Sequence, residues 1–381
     1  MEVYFDNAAT TRVAPEVRAL VDQVMDVDYG NPSSLHAKGA IASKYVNDAR
    51  ETISRTLKCE PKEILFTSGG SESNNMALIG GAYANDRRGK HIISTRIEHA
   101  SVYNPLLYLE KQGFEITFLP VDQNGVVDLD ALRQALRPDT ILVSVMMVNN
   151  EIGAVEPIEE IGAIIKKYNH EILFHVDAIQ AYGKLKISVN RAMIDLLSVS
   201  GHKIHGPKGV GFLYIRDKVK ISPLIYGGGQ QRDLRSGTEN VPGIAGLAKA
   251  AQLMYDDYNV KNDALKNVKE AFLEQVTKLE GVFSHSGDAP HIVSISFQGI
   301  ARAETLLHAL EAKGVYCSAG SACSSNHPAI SGTLKAIGLE EEYLHATLRF
   351  SFSVYSTLEE VEYAVRVIAE EYPRLRGFVK R

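Results

Sequence analysis

Cysteine is scarce in this sequence, which has three among its 381 residues. An odd, small count without framework spacing argues against a disulfide-stapled secreted protein and favours a reducing compartment. An excess of one charge is also lacking, because 41 Lys and Arg face 46 Asp and Glu, so no electrostatic signature of nucleic-acid binding is present. No apolar run approaches the ~18 residues that a membrane span needs. We therefore expect a cytoplasmic protein that contacts neither nucleic acid nor membrane.

Two of the three cysteines, Cys317 and Cys323, lie six positions apart in the stretch "VYCSAGSACSSNHPAI". No C-x-x-C pair or clustered His accompanies them, which argues against a metal site. Each could be a small packed hydrophobe. Cys317 follows a predicted strand and is expected to pack inward, whereas Cys323 lies among Ser and Gly without an apolar anchor. Because thiol reactivity follows exposure and thiolate fraction, Cys323 is expected to be the more reactive.

Short β-rich runs alternate with amphipathic helical segments through most of the chain. The strand-like runs are "EILFTS", "KHIIST", "EITFLPV", "TILVSVMMV", "ILFHVDA" and "DLLSVSG". This alternation predicts an α/β fold with a mostly parallel sheet and helices on both faces. A Gly-rich loop, a long helical stretch and a second strand–helix set then predict a smaller α+β domain. We expect a large domain over residues 15–250 and a small one formed by residues 1–14 and 251–381.

Residues that follow the predicted strands are the first candidates for a site, because open α/β sheets bind ligands there. Gly70 and Ser71 open a helix after "EILFT" and could cradle an anion, or form only a capped turn. Asp177 ends a buried strand, where a carboxylate needs a partner unless it is a helix cap. Lys203, in "GHKIHGPKG", could form a Schiff base or could be an ordinary solvated residue of a loop. His99 is either a catalyst or an ordinary loop residue.

These four features together are what pyridoxal phosphate (PLP) requires from a protein. The cofactor needs a phosphate cradle, a lysine for a Schiff base and an acid that pairs with its ring nitrogen. Each feature has an ordinary structural explanation when taken alone. Their occurrence together at the strand ends of one sheet predicts a PLP enzyme.

The motifs extend essentially end to end and resemble those of cysteine desulfurases of the NifS/IscS type, in the class V branch of fold-type I PLP enzymes. The motifs are "YFDNAATT", "YGNPSSLH", "FTSGGSESNN", "EHASV", "VNNEIG", "HVDAIQ", "SVSGHKIHGPKG", "GGGQQRDLRSGTEN", "SAGSACSS" and "LRFSFS". The resemblance implies a PLP-dependent transferase that converts L-cysteine to L-alanine. Sulfur would pass to Cys323 as a persulfide.

The resemblance also implies roles for residues around the cofactor ring. Lys203 would carry PLP and take the Cα proton of the substrate. His99 would stack on the ring, relay protons and serve as the base that helps Cys323 ionise. Asp177 would pair with the ring nitrogen, and Gln180 would contact the phenolic oxygen.

The phosphate and the substrate carboxylate have implied partners as well. The phosphate would be held by Gly70, Ser71, Ser200, His202 and, from the second subunit of a homodimer, Thr238. The α-carboxylate of the substrate would be bound by Asn150, which also borders the cofactor, and by the two-pronged guanidinium of Arg349.

The sulfur acceptor and three rival functions stay open at the level of sequence. A persulfide needs an acceptor protein, either an iron–sulfur scaffold or a thiolation enzyme. A selenocysteine lyase or another class V PLP enzyme is the alternative activity. A sulfur carrier and a catalytically silent subunit are the alternatives outside this chemistry, and the complete set of implied residues argues against the second.

Overall fold

The structure is a computed structural model, and it describes residues 1–319 and 331–376. The strands are β1 (Val3–Tyr4), β2 (Ile64–Thr67), β3 (His91–Thr95), β4 (Glu115–Leu119), β5 (Thr140–Met146), β6 (Leu173–Asp177), β7 (Leu196–Ser200), β8 (Gly211–Ile215), β9 (Val282–Ser284), β10 (Ile292–Phe297), β11 (Val315–Tyr316), β12 (Ser318–Ala319) and β13 (Thr347–Ser351). The α-helices are α1 (Pro15–Asp26), α2 (Ala37–Leu57), α3 (Gly70–Asn75), α4 (Gly81–Asn85), α5 (Ala100–Lys111), α6 (Leu129–Ala135), α7 (Ile158–Tyr168), α8 (Val241–Tyr255), α9 (Tyr258–Val276), α10 (Ala303–Glu311), α11 (Gly332–Ala336), α12 (Glu341–Leu344) and α13 (Leu358–Arg376).

The largest sheet in the described part of the chain has seven strands in the order β2-β8-β7-β6-β5-β3-β4. Only β8 runs antiparallel to its neighbours β2 and β7, and the remaining pairs are parallel. Every residue of β5, β6 and β7 is buried, as expected when helices cover both faces of a parallel sheet. The prediction of an α/β fold with a mostly parallel sheet is confirmed.

A second sheet, β12-β13-β10-β9, is antiparallel throughout. It packs with α9, α10 and α13 around its own apolar core. Phe5, Phe272, Phe350 and Phe352 form an aromatic group within this core, with ring centroids 4.8–6.1 Å apart. Aromatic rings at such separations, in edge-on or tilted contact, stabilise the fold by more than the burial of their apolar area alone.

The helical stretch predicted after the Gly-rich loop is divided into α8 and α9. Asp257 separates the two helices with a left-handed backbone, at φ 55°, a conformation in which an α-helix cannot continue. The break lets α8 pack against α1 and α2 over the large sheet, while α9 packs against α13 in the smaller unit. The chain thus changes from one core to the other at residues 256–257.

The N-terminal segment touches both cores. Val3 and Phe5 are buried in the smaller core, whereas Ala8 and Ala14 belong to the larger one. The segment therefore crosses from one unit to the other within about ten residues. The assignment of residues 1–14 and 251–381 to one domain stays a prediction.

None of the helices within residues 1–319 and 331–376 is long and apolar enough to cross a membrane.

Candidate active site

A cavity of about 320 Å³ opens at the carboxyl ends of the parallel strands. The predicted site residues that line it are Gly70, Ser71, His99, Asn150, Asp177, Gln180, Ser200, His202, Lys203 and Arg349. They come from segments up to 279 residues apart in the chain. The common direction of the parallel strands brings most of them to one edge, and Arg349 reaches the cavity from β13 of the second sheet. Thr238 is exposed and does not line the cavity of its own chain. Cys323 lies outside the described residues.

Lys203 ends a short 3-10 turn that directly follows β7. Its Nζ donates to the carbonyl oxygens of Ala8, at 2.5 Å, and Ala9, at 2.7 Å. Behind it, the buried Nζ of Lys184 donates to the Lys203 carbonyl oxygen at 3.0 Å. Burial lowers the pKa of Lys184 to about 7, and the charge of Lys203 adds to this effect. Hydrogen bonds therefore fix both the main chain and the ammonium group of the lysine predicted to carry the cofactor.

Asp177 is the last residue of β6, and its carboxylate is buried at the floor of the cavity. Oδ1 accepts from the Ile179 amide at 3.0 Å, and Oδ2 accepts from Nδ2 of Asn74 at 2.8 Å. Burial nevertheless raises the pKa of this carboxyl above its ordinary value. No salt bridge to Asp177 exists among the described residues. A protonated ring nitrogen would supply the positive charge that such a carboxylate favours.

The segment after β2 forms a cradle with little room for side chains. Gly69 precedes α3 with φ 148°, a conformation that favours glycine. A Cβ at Gly70 would overlap the Ile179 side chain. The first amide N–H groups of a helix have no intrahelical acceptor, so those of Gly70 and Ser71 suit an anion such as phosphate.

His202 contributes a neutral imidazole to the same end of the cavity. Its Nδ1 lies 3.1 Å from Oγ1 of Thr10. Burial, with the positive charge of Lys203 adding to it, lowers the pKa of His202 to about 4. The ring is therefore uncharged at neutral pH and can offer one N–H donor.

His99 is the N-cap of α5 and lines the cavity beside Ser101. Its Nδ1 accepts from the Ser101 amide at 3.1 Å and lies 2.8 Å from the Ser101 hydroxyl. This local bond is the typical reason for a polar side chain at the start of a helix. The ring orientation of His99 is thus set by the start of its own helix.

Arg349, on β13, brings a buried guanidinium to the cavity from the smaller unit. Nη1 donates to the Asn150 carbonyl oxygen and Nη2 to Oδ1 of Asp6, both at 2.9 Å. The buried Nε has no acceptor among the described residues. An arginine that is 2% exposed and has an unused donor is suited to bind a small carboxylate with two-pronged geometry.

Several residues that line the cavity or bond to its lining were not predicted from the sequence. Ser101, Ala8 and Ala9 line it, whereas Asp6, Asn74 and Lys184 form hydrogen bonds to Arg349, Asp177 and Lys203. All but Lys184 lie inside the quoted motifs "YFDNAATT", "FTSGGSESNN" and "EHASV". The sequence does not show where each motif lies relative to the strand ends. Without that information, it cannot indicate that these residues meet at the cavity.

Cys317 follows β11 and is half-buried against the smaller core. Burial raises the pKa of its thiol, with the charge of Asp6 adding to the shift. A thiol in this state is a poor nucleophile. Cys317 thus has the environment that the sequence predicts for it.

Comparison with known proteins identifies the family. The Aminotransferase class-V family matches residues 3–364. A cysteine desulfurase IscS from Dictyoglomus turgidum is 44% identical over 379 residues, covering 98% of this chain and 95% of the relative. A cysteine desulfurase IscS from Clostridium botulinum is 46% identical over 374 residues, covering 96% and 93%.

Solved structures agree with the sequence comparison. One described as a NifS-like protein has a TM-score of 0.93 and 39% identity, covering 98% of this chain and 100% of that chain. Another, described as SspA in complex with cysteine, has a TM-score of 0.82 and 36% identity, covering 93% and 100%. The chain therefore belongs to the aminotransferase class-V family, in its cysteine desulfurase branch, whose members use PLP. The predicted family, fold class and cofactor are confirmed.

The residues around the cavity fit PLP on independent structural grounds. The buried Asp177 carboxylate favours a cationic partner, a Cβ at Gly70 would overlap Ile179, and Lys203 lines the same cavity. A cavity of about 320 Å³ is also within the usual range for cofactor sites.

We predict that Gly70→Ala lowers the affinity for PLP by roughly tenfold or more, because forcing a methyl group into a filled site typically costs about 1–3 kcal/mol. Fluorescence titration of the apoenzyme with PLP would measure this. Gly332→Ala is the matched control, since a Cβ there meets no described atom within 4 Å. Equal affinities for the two variants would contradict a cradle at Gly70.

Proposed function

We propose that this chain transfers the sulfur of L-cysteine to Cys323 and releases L-alanine. The observation that carries the proposal is the convergence of Lys203, Asp177 and Arg349 on one cavity. These three groups suit a lysine-bound aromatic cofactor and an amino acid with a free carboxylate. A solved relative in complex with cysteine supports the choice of substrate.

Lys203, Asp177 and the cradle at Gly70 and Ser71 would hold PLP, with Ser200 and His202 at the phosphate and Gln180 at the phenolic oxygen. When bound, PLP supplies an electron sink that stabilises negative charge at the substrate Cα. The carboxylate of Asp177 stabilises positive charge on the ring nitrogen. The Gln180 amide is oriented by its Nε2, which donates to the Ala8 carbonyl oxygen at 2.9 Å.

Substrate is oriented by Arg349 and Asn150. The Nε of Arg349 and its second N–H groups face no described acceptor that would compete with a carboxylate. Asp6 holds Nη2 and so keeps the guanidinium plane in place. With the carboxylate fixed, the Cα proton comes within reach of the amine of Lys203, which serves as the base for that proton.

The sulfur step is a nucleophilic displacement at the substrate sulfur. The Cys323 thiolate forms a bond with that sulfur, and the bond from sulfur to Cβ breaks. In the net reaction L-cysteine and one enzyme thiol become L-alanine and one enzyme persulfide, so no external oxidant or reductant is needed. The persulfide then passes to an acceptor thiol on another protein, either an iron–sulfur scaffold or a thiolation enzyme. The two described cysteines, Cys59 and Cys317, are free thiols, which supports a cytoplasmic setting.

A homodimer is part of the proposal. Thr238 is exposed, and it lies near a loop anchored to the cradle helix, since Arg235 pairs with Glu72 at 2.7 Å. An exposed threonine that does not line the cavity of its own chain suits a role at the phosphate of a second subunit.

We predict that Cys323→Ser keeps PLP bound but abolishes sulfide release from L-cysteine in the presence of a thiol reductant. The serine hydroxyl has a similar shape but is a far poorer nucleophile toward sulfur. The matched control is Cys317→Ser, which should keep most of the activity, because the raised pKa of the Cys317 thiol makes it a poor nucleophile. Peptide mapping after turnover should find the persulfide on Cys323. A persulfide on Cys317, or full activity of Cys323→Ser, would sink the proposal.

The shared site predicts complementation between two inactive variants. Thr238→Ala and Lys203→Ala should each lower the desulfurase activity of the homodimer. A mixed dimer should regain one intact site, because the subunit with Lys203 receives Thr238 from its partner. Co-expression with two affinity tags isolates the mixed species for a sulfide assay. Activity no higher than that of the two parents would show that Thr238 does not act across subunits.

A further inference from the structure

A continuous chain of hydrogen bonds joins the Asp177 carboxylate to the His99 ring. Nδ2 of Asn74 lies 2.8 Å from Oδ2 of Asp177 and 2.9 Å from Oγ of Ser101. Oγ of Ser101 lies 2.8 Å from Nδ1 of His99. Asn74 is fully buried on α3, while Ser101 and His99 line the cavity from α5. Neither Asn74 nor Ser101 has a role in the reaction described above.

The direction of each bond in this chain is fixed by chemistry. An ionised Asp177 can only accept, so the Asn74 amide must point its NH₂ group at the carboxylate. The same NH₂ group faces Ser101, whose oxygen must therefore accept from it. The Ser101 hydroxyl keeps its own hydrogen, which it can donate to Nδ1 of His99 when that nitrogen carries no proton.

A second contact fixes the protonation of His99 independently. The amide of Ser101 donates to Nδ1 at 3.1 Å, and a main-chain N–H cannot accept. Nδ1 of His99 therefore carries no proton, and the proton of the neutral ring lies on Nε2. The helix-cap contact thus fixes the tautomer, and the side-chain chain of hydrogen bonds is compatible with it.

We infer that Asn74 and Ser101 are positioning residues that hold His99 as a neutral ring with its proton on Nε2. In this state His99 is a hydrogen-bond donor in the pocket, able to stabilise negative charge on a substrate or cysteine sulfur. It is not the base that ionises Cys323, because its basic nitrogen, Nδ1, already accepts from the Ser101 amide and a proton there would break that hydrogen bond. The role of His99 in stabilising charge on sulfur rests on the proposed function, whereas the tautomer does not depend on the reaction.

The first test reads the tautomer directly. Holoenzyme labelled with ¹⁵N-histidine would be examined by long-range ¹H–¹⁵N correlation, with His99→Gln identifying the His99 signals by their loss. We expect an unprotonated Nδ1 and a protonated Nε2 at neutral pH. A protonated Nδ1 would overturn the inference. Because this result does not require turnover, it separates a failure of the inference from a failure of the proposed desulfurase activity.

The second test uses variants of the chain of bonds. Ser101→Ala should move the His99 Nδ1 signal and lower kcat roughly tenfold with KM nearly unchanged, since a hydroxyl that bonds a reacting group is lost. Ser101→Thr, which keeps the hydroxyl, should restore both. Ser73→Ala is the control, because Ser73 is buried next to Asn74 on α3 but its hydroxyl bonds to Thr67 and not to Ser101 or His99. It should leave the His99 signals in place.

A double-variant comparison tests whether Asn74 acts through Ser101. Asn74→Ala and Ser101→Ala should each lower kcat, and the double variant should be no worse than the poorer single one, since both remove the same orientation of His99. Fully additive losses, or His99 signals unaffected by either change, would overturn the assigned positioning role.

Discussion

The buried carboxylate of Asp177 is the charge around which the pocket is arranged. It ends a strand in the middle of the large sheet and is 4% exposed, so it has lost most of its solvation and needs partners from the protein or the cofactor. Two donors, the Ile179 amide and Asn74, compensate part of this cost. The part of the burial cost that these donors do not compensate favours a positively charged group in the cavity. The same carboxylate orients the Asn74 amide, whose NH₂ group also donates to the Ser101 hydroxyl beside His99.

The N-terminal segment is the second constraint, because it connects the two units through the pocket. The carbonyl oxygens of Ala8 and Ala9 hold the ammonium of Lys203, and Asp6 holds Arg349 on a strand of the smaller sheet. Phe5, in the same segment, is packed in the smaller core. The spacing between Lys203, proposed to carry the cofactor, and Arg349, proposed to bind the carboxylate, therefore depends on a few residues near the start of the chain.

Much of the fold was predictable from the sequence, since the alternation of apolar runs gave the parallel sheet and the strand ends gave the cavity. Lys203 and Asp177 could be found because a charged residue at the end of an apolar strand demands an explanation. Asn74 and Ser101 could not, because each looks like an ordinary helix residue until the relative position of α3 and α5 is known. The separation of α8 and α9 was missed for a similar reason, since a single left-handed residue at Asp257 leaves no mark on the helical periodicity.

The central claim is that Lys203, and no other amine of the pocket region, carries the cofactor. Lys184 is the sharpest competitor, because burial lowers its pKa to about 7 and its Nζ lies 3.0 Å from the Lys203 carbonyl oxygen. Reduction of the holoenzyme with borohydride followed by peptide mass spectrometry distinguishes them directly. The account predicts a single pyridoxyl-modified peptide carrying the group on Lys203. Modification of Lys184 or Lys208 in place of Lys203 would contradict it.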